Sequence, residues 1–426
     1  MIVPQTNLPR VVVVGGGFGG LHLVKKLSKT KNFQIVMLDK HNYHTFQPLL
    51  YQVSTSGLEP DSIAYPLRKT IINTPNTYFR MAQVETIDAQ HKTLKTSIGS
   101  IDYDFLVIAT GSKTNYFGNE NIAKHAMFMK TVPQALNIRS LILENLEQAI
   151  ITSNLEKRKS LLNFVIVGGG PTGVELCGAL AELKRSVIPK DYPDMNMDEM
   201  QIHLLEGADR VLPPMSKKAS KDAQTFLEKL GVQIHLETLV KDYDGKQVIT
   251  NNSLRFETDT LIWSAGVTGN PIKGLGEEVL VKGNRYRVNH FNQIDGHESI
   301  FAIGDIAQMN AEGYENGHPM VAQPAIQQGE HLANNLVNLV KAKTLIPFKY
   351  RDKGTMATIG RNKAVVDLKK GSFSGFFAWF VWMFVHLWFL VGFRNRIVTF
   401  FNWVYAYISF DKAARLIIRP FKSVKN

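Results

Sequence analysis

Two short runs of β-branched apolar residues set the pattern of this chain. Val11, Val12, Val13 and Val14 lead into Gly15-Gly16-Gly17-Phe18-Gly19-Gly20, and Val165, Ile166 and Val167 lead into Gly168-Gly169-Gly170-Pro171-Thr172-Gly173. A helix-like stretch follows each cluster. The pattern predicts strand, tight turn and helix, twice over. Further apolar runs predict strands at 34–38, 104–108, 201–205, 260–263, 299–303, 354–360 and 363–367. Three of them end in marked turns: Ala109-Thr110-Gly111, Ser264-Ala265-Gly266 and Gly304-Asp305. Near the end the alternation stops. Residues 376–393 read FFAWFVWMFVHLWFLVGF, without one formal charge.

Both clusters carry the spacing G-x-G-x-x-G, which suits a dinucleotide. Gly15 permits the turn, Gly17 lets a pyrophosphate approach the backbone, and Gly20 lets the helix pack on the strand. Gly168, Gly170 and Gly173 repeat these roles. A helix N-terminus then offers free N–H groups to the anion. The strand at 34–38 ends at Asp39 and the strand at 201–205 ends at Glu206, acids placed to accept from a ribose. An insertion with Pro189 and Pro193 loosens the second spacing. Glu206 would repel a 2′-phosphate and so favours NADH, although Arg210 lies close by. Two such sites point to two nucleotide cofactors and electron transfer between them.

With 426 residues the chain suits two or three domains. Its single cysteine, Cys177, excludes a disulfide framework and a CxxC redox pair, and the residue reads as a small packed side chain. The twelve histidines show no metal-ligand spacing. The net charge of +12 calls for an anionic partner. No nucleic-acid recognition motif accompanies it, so an anionic membrane surface is the better candidate. No apolar leader precedes the strand at Arg10, so no secretory signal is expected.

The end of the chain supports the membrane reading. Every tryptophan but Trp263 lies between Trp379 and Trp403, and tryptophan favours the membrane–water boundary. The apolar run is borderline in length for a span. The following run, 397–410, places Thr399, Asn402 and Ser409 on a narrow polar stripe, and Lys412, Arg415, Arg419, Lys422 and Lys425 follow. A buried core or dimer helix and a spanning helix or hairpin are alternatives to interfacial insertion, which is preferred. His386 reads first as a partly buried structural residue.

From Arg10 to about Arg396 the chain resembles the type II NADH:quinone oxidoreductases, flavoproteins with two dinucleotide-binding domains. The two glycine clusters, the segment 39–51, Gly304-Asp305 and Ala322-Gln323-Pro324-Ala325-Ile326-Gln327-Gln328-Gly329 carry the resemblance. It implies an α/β fold with two Rossmann-like, glutathione-reductase-like domains and a C-terminal membrane-associating helical region. It assigns FAD to Gly15, Gly17, Phe18, Gly19, Gly20, Asp39, Lys40, Pro48, Thr110, Gly111, Gly304, Asp305 and Gln323. NADH falls to Gly168, Gly170, Pro171, Thr172, Gly173, Glu206 and Gly266. Glu175, Gln323 and Gln327 are the implied catalytic residues, with the glutamine pair beside a quinone and Glu175 in charge transfer or proton relay. For Glu175 the residues alone equally suggest a carboxylate stabilised at a helix N-terminus.

The expected domains are 1–115 with 290–335 for FAD, 116–289 for NADH, and 336–426 with a membrane anchor from about 373. The implied reaction passes hydride from NADH to FAD and two electrons to a membrane quinone, without ion pumping. The site is expected on the cytoplasmic face of a bacterial membrane, and a homodimer is compatible with the family. A reductase of a soluble or protein acceptor and a flavin-binding redox-signalling protein are the alternatives.

Overall fold

The computed structural model describes residues 1–412 and 414–418. Arg419, Lys422 and Lys425, expected to face anionic headgroups, lie outside the described residues. Along the chain run β1 (Arg10–Val14), α1 (Phe18–Leu27), β2 (Gln34–Asp39), α2 (Leu50–Ser54), β3 (Thr77–Met81), β4 (Phe105–Ile108), β5 (Met127–Phe128), α3 (Val132–Ile151), β6 (Asn163–Val167), α4 (Pro171–Ser186), β7 (Gln201–Leu205), β8 (Gln233–His235), β9 (Thr260–Trp263), β10 (Ile300–Ala302), α5 (Ala322–Val340), β11 (Thr355–Thr358), β12 (Ala364–Leu368), β13 (Gly371–Gly375), α6 (Phe376–Phe389) and α7 (Phe393–Ser409). Shorter elements join them.

These elements form two compact units. The first comprises 1–44, 65–113 and 267–352; the second comprises 45–64, 114–266 and the chain from 353 onward. The sequence reading drew the return to the first unit at about 290. In the structure Ile272, Leu275, Val279 and Tyr286 already belong to the first unit's core. Tyr286 Oη accepts from Ile272 N at 2.9 Å and donates to Ile272 O at 2.8 Å, which pins this segment there.

The first unit is built on a parallel sheet ordered β10-β4-β1-β2-β3. Val11, Val12 and Val13 are fully buried, as a strand covered on both faces requires. The second unit repeats the plan with β5-β9-β6-β7-β8, again all parallel. Each unit also inserts a three-stranded antiparallel meander, at 84–102 and at 240–257, before the strand that lies beside its glycine-loop strand. The repeat therefore extends well beyond the two glycine clusters.

In the first unit α1 and α5 cross in close contact. A Cβ at Gly329 would lie 2.3 Å from Gly19 O, so the last glycine of the 322–329 motif serves this crossing. In the second unit, β11, β12 and β13 form an antiparallel sheet that packs on α4 and also contacts α6. A Cβ at Gly178 of α4 would lie 3.1 Å from Gly360 N. The strand at 371–375 is a correction: the sequence reading began the membrane anchor at about 373, whereas residues 371–375 form a strand and the helix starts at Phe376.

The apolar run does not form one helix. Leu390 leaves helical geometry and Gly392 adopts φ 93°, which separates α6, of 14 residues, from α7, of 17. At 1.5 Å per residue they are about 21 and about 26 Å long, against about 30 Å of bilayer core. Among the described residues no helix is long and apolar enough to cross a membrane. Phe376, Phe377, Phe380, Phe384 and Trp388 recur at helical spacing and are 54–65% exposed. On α7 the usual polarity is inverted. Asn395 and Thr399 are buried, and Asn395 Nδ2 donates to Asp61 O and Ala64 O, while Phe393, Ile397, Phe401 and Ile408 are exposed.

Replacing Gly329 by alanine should push α1 and α5 apart and cost about 1–3 kcal/mol. Thermal unfolding checks this; an unchanged melting temperature contradicts the crossing as described.

Candidate active site

The first loop is shaped by what glycine lacks. Gly15 has φ 111°, and a Cβ there would lie 2.2 Å from Ala109 O. A Cβ at Gly20 would lie 1.9 Å from Gly15 O. Gly17 differs, because a Cβ there would meet nothing within 4 Å. Its absence keeps space open at the N-terminus of α1, where no side chain caps the helix and the first turn holds no acid. Bare N–H groups, a partial positive charge and open space suit a pyrophosphate.

Asp39, expected to face a ribose, is engaged with the backbone. Its Oδ2 accepts from Gly16 N at 2.6 Å and its Oδ1 from His41 N at 2.7 Å. The carboxylate thus holds the loop while keeping lone pairs for a hydroxyl. His44 was read only as one residue of the segment 39–51, with no role of its own. Its Nδ1 bonds Gly16 O at 2.9 Å and so carries the proton. Its Nε2 is buried without a partner, and burial pushes the imidazole down to about 4, so it is a neutral acceptor. Phe18 sets its ring edge-on to His44 at 5.1 Å. Ser112 Oγ donates to Asp305 Oδ2 at 2.6 Å, and Gln328, fully buried, accepts from Gly304 N at 2.7 Å. The open cradle, the orphaned His44 Nε2 and the Gly304-Asp305 turn fit FAD.

The second loop repeats this construction. Gly168 has φ 103°, and its Cβ would lie 2.8 Å from Ala265 N. A Cβ at Gly173 would lie 1.9 Å from Gly168 O, and one at Gly170 would meet nothing within 4 Å. Glu206 accepts from Gly169 N and, at 2.8 Å, from Ala208 N. Pro171 and Thr172 open α4 without a side-chain cap, and Gly266, the residue after Ala265, takes φ 79°. Arg210 turns its Nη2 onto Pro213 O at 2.9 Å, so its charge is engaged locally. The donor set fits the same class of ligand as the first loop.

Glu175 lies in the second turn of α4, and burial overrides the helix terminus. Its Oε1 accepts from Thr358 N of β11 at 3.3 Å. The Trp382 indole N–H of α6 is aimed at it without forming a complete hydrogen bond. Burial pushes the carboxyl up to about 8, with Thr358 and Trp382 pulling back. His386 stacks on Trp382 at 4.1 Å, bonds Trp382 O through Nδ1 at 2.8 Å, and is pushed by burial down to about 4. It is neutral and structurally tied, with Phe46 edge-on at 6.1 Å. Cys177 is buried in the same helix, and burial raises its thiol.

Gln323 and Gln327 sit in the first two turns of α5. Gln327 uses its amide on backbone, donating to Arg351 O at 2.9 Å and accepting from Arg351 N at 3.0 Å. One of its N–H groups remains for a ligand. Among residues assigned to FAD, Lys40 is exposed and Pro48 belongs to the second unit; the rest lie in the first. The NADH set and Glu175 lie together in the second.

Residues 9–329 match the model of the pyridine nucleotide-disulphide oxidoreductase family, and residues 353–409 match that of the NDH2 C-terminal domain. The chain is 36% identical to the type II NADH:quinone oxidoreductase Ndh of Mycobacterium tuberculosis, covering 94% of this chain and 88% of that one. It is 30% identical to the internal alternative NAD(P)H-ubiquinone oxidoreductase A1, mitochondrial, of Arabidopsis thaliana, over 94% and 84% of the two chains. Its fold matches NDH2 from Plasmodium falciparum, solved in complex with NADH, with a TM-score of 0.87 over 96% and 99% of the chains at 20% identity. With two glycine loops, a return strand ending in Gly304-Asp305 and these relatives across nearly its whole length, the chain belongs to the type II NADH:quinone oxidoreductases.

Proposed function

We propose that this chain oxidises NADH through bound FAD and passes the two electrons to a membrane quinone, with the buried Glu175 carboxyl supplying a proton. Glu175 is the observation that carries the reading. A carboxyl pushed up to about 8 still holds its proton near neutral pH, and a quinone needs two protons with its two electrons. Bound FAD supplies the two-electron carrier between NADH and quinone. The residues around it bind and orient. Gly15, Gly17 and Gly20 with the α1 terminus hold its pyrophosphate, Asp39 its ribose, and Gly304-Asp305 its ribityl chain. Gly168, Gly170 and Gly173 with the α4 terminus do the same for NADH, and Glu206 takes its ribose. Gln323 and Gln327 offer uncharged amides to a quinone carbonyl.

The outer face of α6 and α7 supports a site on the bilayer surface. Large aromatic side chains at full helical spacing, exposed on both helices, suit interfacial insertion. NADH is a solute, so the second unit's glycine loop would face the cytoplasm while these helices face lipid. A single buried cysteine leaves no dithiol for disulfide chemistry. The quinone reading is therefore preferred over reduction of a soluble acceptor.

Steady-state NADH oxidation by the detergent-purified protein should depend on added quinone. Glu175→Gln should lower the quinone-dependent rate about a hundredfold while NADH still bleaches the flavin. A quinone-independent rate, or full turnover in the variant, rejects the reading. Glu175 also makes stability pH-dependent. Its pKa rises from 4.5 to about 8 on folding, so the folded state holds the extra proton between these values. Its contribution is present at low pH and is lost as pH rises through that window. The melting temperature of Glu175→Gln relative to wild type should climb from about pH 5 to about pH 8; a constant difference contradicts the buried acid. For the membrane face, Phe377→Glu with Phe384→Glu should cut co-sedimentation with anionic vesicles at least about tenfold and leave the circular dichroism unchanged. Unaltered binding refutes that face.

A further inference from the structure

One buried cation of the first unit has no part in the binding scheme above. Arg285, on a short strand at Arg285–Arg287, is 8% exposed. Arg287, on the same strand, is exposed and pairs with Asp295 at 3.9 Å. Arg285 meets only backbone oxygens. Its Nη2 donates to Ala307 O at 2.6 Å and to His318 O at 3.1 Å, and its Nη1 donates to Asn316 O at 3.3 Å. Nε is buried without a partner, and among the described residues the guanidinium forms no ion pair. The chain wraps around this group. Ala307 follows the Gly304-Asp305 turn in a strand, Ala307–Gln308, that pairs with Arg285–Arg287. At Gly317 the chain takes φ 82°, and a Cβ there would lie 3.2 Å from Arg285 Nη1. The helix α5 begins at Ala322, and its Gln328 returns to Gly304 N. Arg285 thus sits at the base of the loop that joins the Gly304-Asp305 turn to α5.

A structural tie alone does not call for a charge. Carbonyl oxygens can be met by neutral donors, whereas a guanidinium kept from water without a carboxylate is costly. Three carbonyl dipoles stabilise the positive charge here without cancelling it. We propose that the Arg285 guanidinium is a fixed countercharge that raises the reduction potential of FAD bound in the first unit. This rests on the assignment of FAD to the first glycine loop and the Gly304-Asp305 turn. A hydride brings two electrons and one proton, so the flavin gains one negative charge as NADH becomes NAD+. A cation already fixed in a low-polarity setting favours that gain without rearrangement. Charge near the ring is one of the levers by which a protein tunes a flavin. Arg285 acts through space, from behind the turn, and touches no substrate. Two other groups bear on it. Asp305 accepts from Ser112 Oγ and acts on Arg285 less strongly than burial does. His318 is neutral, because burial lowers its imidazole. Loss of Arg285 would also leave the Asp305 carboxylate unopposed at the flavin turn.

The test is the two-electron midpoint potential of the full-length, FAD-loaded protein in detergent, read spectroscopically against a reference dye. Arg285→Met removes donors and charge at similar length. Arg285→Gln keeps an amide donor without charge, and Arg285→Lys keeps the charge with a different donor geometry. In the Met and Gln variants the equilibrium constant for flavin reduction should fall about tenfold, a shift of about 30 mV for a two-electron couple, while Arg285→Lys stays within about threefold of wild type. Gln308→Glu checks the charge while leaving Arg285 in place, and it serves even where the Arg285 variants fail to fold. A Cβ at Gly317, 3.2 Å from Nη1, would lie 2.8 Å from Gln308 Cγ, so the new carboxylate falls beside the guanidinium. It should lower the same constant at least about threefold with all three carbonyl bonds kept. Unmoved potentials in Arg285→Met or in Gln308→Glu overturn the countercharge. A fall in Arg285→Met with none in Arg285→Gln, or an equal fall in Arg285→Lys, reduces Arg285 to a tie and overturns it too. If Gly17→Leu, which fills the space at the first loop, still binds FAD, the assignment of FAD to that loop fails instead.

Discussion

A carboxyl group kept out of water is the constraint on which the second unit is built. Glu175 rides on the helix whose N-terminus, bare of a side-chain cap, follows the second glycine loop. An acid so placed would ordinarily stay ionised beside the helix dipole. Here β11 closes over it from one side and Trp382 of α6 from another. The C-terminal sheet and helices thus do more than present an exposed apolar face. They supply the low-polarity cover that keeps a proton on Glu175, and they carry their exposed aromatic faces outward.

The two units solve one binding problem twice. In each, a clash-relieving pair of glycines fixes the helix on the strand, and a middle glycine keeps space open. In each, the acid at the end of the next strand is bonded to the loop backbone, Asp39 to Gly16 and Glu206 to Gly169. This bond explains why the acid tolerates the looser spacing created by Pro189 and Pro193. Its position is set by the parallel neighbour strand rather than by distance along the chain.

The parts legible in the sequence are those whose cause is local. Buried parallel strands appear as uninterrupted Val and Ile runs, and the loops appear as glycine spacing. Other features depend on distant partners. The burial of Glu175 needs Thr358 and Trp382. The role of His44 rests on one backbone oxygen, Gly16 O, and no local pattern marks it. The strand at Gly371–Gly375 was missed because GSFSG contains no β-branched residue and pairs only through its register with β12. On α5 the motif drew attention to Gln323 and Gln327, while Gln328, which points inward, ties the helix to Gly304. The stripe on α7 was seen through Thr399, yet its direction was not, since Asn395 and Thr399 face protein and the apolar side is bare.

The protonation state of Glu175 is where sequence, packing and function meet. Infrared titration of the folded wild-type protein, with the Glu175 carboxyl band identified by its loss in Glu175→Gln, measures it directly. A protonated carbonyl band that persists at neutral pH and disappears with a midpoint of about 8 is the predicted result. A band already lost near the ordinary glutamate value of 4.5 would contradict the buried acid and the proton delivery built on it.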